Sequence, residues 1–86
     1  MDYQFSLHAL EQMTLREISE KVVDDILSGP DQIVEQDGLF IYQSIVSDFK
    51  VQPCLIRVFV NSGKIPPMIV TVYRTSKIEK YYEDKI

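Results

Sequence analysis

Few side chains among these 86 residues have the chemistry to do more than pack, and two of them, His8 and Cys54, are the only ones of their kind. His8 is the single histidine, and imidazole is the natural general acid or base near neutral pH. It falls in the first turn of a short amphipathic stretch, where a helix dipole favours a nearby phosphate. The competing reading is a structural His8 that packs at a helix–sheet edge and donates one hydrogen bond. Arg16, eight positions on, either clamps phosphate or pairs with Glu17 or Glu20. Arg74 either clamps phosphate with its planar fork, caps a carbonyl, or pairs with Glu79. Cys54, the single cysteine, follows Pro53 at a strand start and reads as a small core residue rather than a nucleophile. Tyr81 and Tyr82 read as packing residues.

Several functions are excluded by what is missing. There is no G-x-S-x-G, no P-loop and no dinucleotide glycine pattern. One histidine cannot build a multi-histidine metal centre, and one cysteine cannot build a disulfide framework. No cofactor or metal is therefore expected. The longest apolar run, 65–73, is too short to span a bilayer and contains two prolines. The first residues lack the basic-then-apolar pattern of a secretory signal, so the expected location is the cytoplasm.

Charge sharpens the picture. The formal net charge is −4, a poor start for nonspecific nucleic-acid binding. The carboxylates nevertheless cluster, mainly over 17–37 and 79–84, while 54–77 holds Arg57, Lys64, Arg74 and Lys77 and no Asp or Glu. An acidic helical half and a basic sheet half can create a positive cleft on an acidic protein. Ordinary partition of surface charge would look the same.

The elements that must position these groups follow from periodicity and punctuation. Hydrophobic residues at 45% and charged residues at 26% describe a globular chain, and 86 residues make a single domain over 1–86. Ser6 caps a first helix over 6–13, with Leu7, Leu10 and Met13 as its apolar stripe and His8 and Gln12 on another strip. Ser19 caps a second helix over 20–28, buried through Ile18, Val22, Val23, Ile26 and Leu27 and ended by Gly29-Pro30. The period then changes to two. Strands are expected over 32–36 and 39–47, joined by the tight Asp37-Gly38 turn, and over 54–61 and 68–75, with a looser connection over 48–53. Ser76-Lys77-Ile78-Glu79 is a capping-box pattern opening a last helical turn through Tyr82.

The fold class is therefore α+β, with two N-terminal helices on one face of a four-stranded antiparallel sheet and a short C-terminal helix. Strand parity gives the faces. Ile56, Val58, Val60, Val70 and Val72 suit the helix-covered side. Arg57, Phe59, Thr71 and Tyr73 then form the other face, with Arg74 near its rim, a surface suited to RNA and equally an ordinary half-exposed sheet.

The run His8-Ala9-x-x-x-Met13-x-x-Arg16-x-Ile18-Ser19, followed by an acidic-hydrophobic helix ending at Gly29-Pro30, resembles a bacterial family known as domain of unknown function 4258. The strand Ile69-Val70-Thr71-Val72-Tyr73 is similar to that family's closing strand. Members often carry arginine before the methionine and glycine after the later arginine, where this chain has Gln12 and Glu17. The family in turn resembles the RelE and BrnT toxins and the barnase-like ribonuclease fold, and Arg74-x-x-Lys77-x-Glu79-x-Tyr81 is loosely similar to the end of BrnT-type toxins. The resemblance implies a metal-independent endoribonuclease of a toxin–antitoxin pair, in which the ribose 2′-hydroxyl attacks the adjacent phosphate. It implies RNA as substrate, a small antitoxin protein encoded beside it as partner, and no DNA or membrane. By position it implies catalytic roles for His8, Arg74, Tyr73 and Thr71 and RNA contacts from Arg16, Arg57 and Lys77. The alternative is a noncatalytic protein-interaction module or accessory subunit that keeps the fold without the chemistry.

Overall fold

The computed structural model describes residues 2–47 and 53–82. The chain runs β1 (Gln4–Phe5), α1 (Leu7–Leu15), α2 (Glu20–Ser28), β2 (Gln32–Gln36), β3 (Leu39–Val46), β4 (Cys54–Asn61), β5 (Met68–Thr75) and α3 (Ile78–Tyr81). The strands form one sheet in the order β1-β5-β4-β3-β2. The fold is thus α+β as expected, but among the described residues the sheet has five strands and is mixed. The added strand, β1, pairs parallel to β5 through Gln4 opposite Met68 and Phe5 opposite Ile69. Two residues carry no readable alternation, and their pairing comes from where the rest of the fold places them. The connection expected over 48–53 lies, apart from Pro53, outside the described residues.

Local chemistry accounts for the element ends. The Ser6 hydroxyl accepts from the Ala9 amide and the Ser19 hydroxyl from the Val22 amide, each satisfying an orphan donor of a first turn. Asp37 and Gly38 both have positive φ, 54° and 81°, as a two-residue hairpin between β2 and β3 demands. α1 ends in a Schellman turn, with the Ile18 amide donating to the Met13 carbonyl (2.8 Å) and the Glu17 amide to that of Thr14 (3.3 Å). Glu17 takes the left-handed position of that turn at φ 57°. The expected Ser76 capping box does not form. Lys77 occupies the cap position without a side-chain cap, and its amide donates instead to the Thr75 hydroxyl.

The main core lies between the helices and one face of the sheet. It joins Ala9, Met13, Ile18, Val23, Ile26 and Leu27 to Ile56, Val58, Val60, Ile69 and Val72. Two expectations change here. Leu7 and Leu10 are exposed, and α1 buries Ala9 and Met13 instead. On β5 the core position belongs to Ile69, while Val70 is only half-buried. The cause is a β-bulge: Phe59 faces Thr71 across the ladder, Val60 faces Ile69, and Val70 is the extra residue. The bulge reverses side-chain parity below Thr71.

Candidate functional site

β1 covers the edge of β5 only at Met68 and Ile69, and α1 packs along β5 beyond it. This location splits the helix between two environments. Ala9 and Met13 enter the main core. His8, Gln12 and Arg16, four residues apart and so on one strip, line a cleft on the other face of the sheet. The cleft measures about 340 Å³ and is completed by Arg57, Phe59, Thr71, Val72, Tyr73 and Tyr81. Five of the seven residues singled out from the sequence (His8, Arg16, Arg57, Thr71 and Tyr73) therefore meet in one place.

The sheet contributes through its register. Arg57 stands opposite Tyr73 and Phe59 opposite Thr71, so all four share the face turned away from α2. This face is not open, as parity alone suggested. Ile41, Gln43 and Leu55 on it are fully buried, and Arg57 is only 7% exposed. α3 folds back over it: the Tyr81 carbonyl accepts from Gln43 Nε2 at 3.2 Å, and the Tyr81 ring lies 4.4 Å from the Arg57 guanidinium carbon.

Arg57 is a desolvated cation, and among the described residues no carboxylate pairs with it. Its Nε donates to Gln43 Oε1 at 2.9 Å, and the Phe59 ring stands 5.3 Å from its guanidinium carbon. Burial pulls its pKa below the ordinary guanidinium value, against the opposing pull of the Tyr81 and Tyr73 phenols. The group remains charged at neutral pH, because guanidinium starts far above it. Gln43 is saturated in turn, its amide also donating to Gln32 Oε1 at 2.8 Å. Arg16 repeats the pattern nearer the mouth. Its Nε donates to Gln12 Oε1 at 3.0 Å, and its guanidinium carbon lies 5.2 Å over the Tyr73 ring. Neither Glu17 nor Glu20 supplies the partner.

Tyr73 and Tyr81 connect the two units edge to face, with centroids 5.9 Å apart. The Tyr73 hydroxyl, as donor, is the largest influence holding the Tyr81 phenol below its usual range. Lys80 and Arg57 add to that effect, and burial opposes it. His8 is exposed at the rim. Among the described residues no Asp or Glu lines the cleft. Two fixed arginines, aromatic faces and a solvent-accessible imidazole can together bind an anionic, base-bearing ligand.

Two expected members are elsewhere. Arg74 stands opposite Ile56, which belongs to the main core, so it lies on the helix side of the sheet. This corrects its assignment to the cleft. Lys77 is exposed beyond the end of β5, among Ser76, Ile78, Glu79 and Lys80. Tyr81, read as a packing residue, does pack on Arg57 and Tyr73, and from there it also lines the cleft. Gln43 went unnoticed, although a polar residue on the same parity as Ile41 and Ile45 marks a buried polar contact.

Among the described residues no group of three or more His, Cys, Asp or Glu side chains gathers as metal ligands. None of the described helices is long and apolar enough to cross a membrane. Neither the curated proteins nor the solved structures contain a match to the chain. The family described as "Domain of unknown function (DUF4258)" matches residues 5–74, from the second residue of β1 to the penultimate residue of β5, and so every cleft residue but Tyr81. The chain belongs to this family.

Proposed function

We propose that the cleft binds single-stranded RNA and cleaves it without a metal, as a toxin-like endoribonuclease. The observation that carries this reading is a wall with two arginines and, among the described residues, no carboxylate, in a protein of net charge −4. Such a site concentrates positive potential locally. The ribose 2′-hydroxyl attacks the adjacent phosphorus, the 5′-oxygen departs with a proton, and a 2′,3′-cyclic phosphate remains. Arg57 and Arg16 neutralise charge on the phosphate oxygens. His8, accessible at the rim, exchanges the proton. Thr71 and Tyr73 offer hydroxyls, and the aromatic rings stack bases. A small inhibitory partner protein that blocks this face would present carboxylates to the two arginines.

The test is cleavage of cellular RNA in EDTA, with and without ribosomes. Wild type is expected to cut, and His8→Ala to lower the rate by about 10²- to 10⁴-fold, the range for losing a general acid or base. The denaturation midpoint should stay where it was, since His8 is exposed. Intact RNA under both conditions, with no slowing of growth on expression, would overturn the reading. One observation favours a noncatalytic interaction module: Tyr81 already stacks on Arg57 and closes part of the floor. Binding of RNA or an acidic peptide without cleavage is the result that would select it.

A further inference from the structure

Both arginines of the cleft are held in the same way. Each is gripped through Nε by a glutamine, Arg57 by Gln43 and Arg16 by Gln12, and each faces a tyrosine ring. The usual partner of a structural arginine is a carboxylate, and for a buried one it is close to obligatory. An amide oxygen satisfies one N–H and sets the plane of the fork while adding no negative charge. Among the described residues no carboxylate pairs with either guanidinium. Gln43 is also fully buried, and its remaining donors are committed to Gln32 and to the Tyr81 carbonyl, so its orientation is determined.

We propose that Gln43 and Gln12 are neutral positioning residues that hold Arg57 and Arg16 oriented but electrically uncommitted, so that the cleft takes two phosphate groups of one single-stranded nucleic acid. The proposal rests on reading the cleft as an RNA site, but it concerns binding and stands apart from cleavage. Burial of Arg57 makes it the stronger of the two, because an anion reaching it meets a charge with little competing water. Arg16, half-buried nearer the rim, holds the second phosphate more weakly.

The test uses a fluorescent 2′-O-methyl oligouridine, which has no free 2′-hydroxyl and is not cut, with affinity followed by anisotropy across a salt series. Gln43→Glu turns the tether into a counter-ion. Affinity should fall about 10- to 100-fold, the cost of losing a hydrogen bond to a charged group. The slope of log affinity against log salt should shrink by about 0.7, the contribution of one phosphate contact on a single strand. Gln12→Glu should produce the same change of slope with a smaller loss of affinity, and the double variant should shrink it by about 1.4. Gln36→Glu, at an exposed position on β2, adds equal charge outside the cleft and should leave the slope unchanged. A purely structural role for Gln43 would lower stability without altering the slope. If Gln43→Glu does not fold, the Arg57 Nε–Hε resonance of wild type decides, its identity confirmed by its absence from Arg57→Lys. It should shift on titration with the oligonucleotide.

A folded Gln43→Glu with wild-type slope, or an Arg57 resonance that stays put, overturns the proposal. If wild type shifts that resonance yet leaves ordinary RNA intact, the phosphate sites stand and the nuclease reading falls.

Discussion

Ser6 connects β1 to α1 and does two things with one hydroxyl. Its Oγ accepts from the Ala9 amide at 3.0 Å and donates to the Val70 carbonyl at 2.7 Å. The first bond caps α1. The second satisfies the bulge residue, which sits outside the regular β4–β5 register. Ser6→Ala removes both. Loss of the cap costs about 1 kcal/mol, and a half-buried carbonyl left without a partner costs about another 1 kcal/mol. A domain of this size holds on the order of 5 kcal/mol in all. With a urea slope of about 1 kcal/mol per molar, the unfolding midpoint should drop by about 2 M. Two further substitutions separate the bonds. Ser6→Thr keeps an acceptor and a donor and should remain close to wild type. Ser6→Asp is ionised at neutral pH, so it caps the helix but has no proton to offer Val70, and it should recover about half the loss. Urea unfolding followed by circular dichroism measures all four proteins. A Ser6→Asp midpoint equal to wild type would show that the Val70 bond contributes nothing. A Ser6→Ala shift below about 0.5 M would refute both halves of the argument.

Two other outcomes follow from local geometry. Glu17→Gly should raise stability by about 1 kcal/mol, since a side chain at φ 57° carries a penalty that glycine lacks; an unchanged or lower denaturation midpoint would show that the Glu17 side chain compensates. In a near-UV tyrosinate titration Tyr81 should ionise below the ordinary phenol range and Tyr3 above it, the latter through burial and its bond to Asp24 (3.1 Å). Tyr73→Phe should move the early transition upward, because Tyr73 is the main influence lowering it; no movement would remove that cause.

The sequence was most legible where one residue type has one local solution. Ser6 and Ser19 at helix starts, Gly29-Pro30 after α2, and Asp37-Gly38 between β2 and β3 all mark their elements within a residue or so. Parity reasoning also assigned Arg57, Phe59, Thr71 and Tyr73 to one face. It failed at Val70, because counting by twos assumes an unbroken pleat, and the bulge breaks it at one residue. The case of Arg74 runs the other way. Arg74 shares the parity of Val72, and its position near the strand end suggested that it could reach round the rim; the register keeps it on the helix side. Gln43 and Tyr81 are 38 positions apart and meet only because α3 returns over the sheet. No local pattern encodes that contact, although a glutamine between Ile41 and Ile45 hints at one.

The charge pattern shows why a tally of basic residues was a poor guide to the site. The carboxylate-free stretch 54–77 supplies Arg57, but Lys64 is exposed in the β4–β5 turn, and Arg74 and Lys77 lie outside the cleft. The second arginine, Arg16, comes from the acidic helical half. What makes the cleft cationic is burial and a lining that, among the described residues, holds no carboxylate, rather than the number of cations. Glu20, Asp24 and Asp25 ride on α2, across the sheet from Arg57, in a molecule whose shortest dimension is 20 Å. At physiological salt a charge is felt in solvent over about 8 Å, so these carboxylates barely reach the cleft mouth through water. Arg57, 7% exposed, is screened far less than any lysine on the surface. A net charge of −4 thus argues against a broad basic surface that tracks many phosphates, and leaves room for a short site that grips one or two.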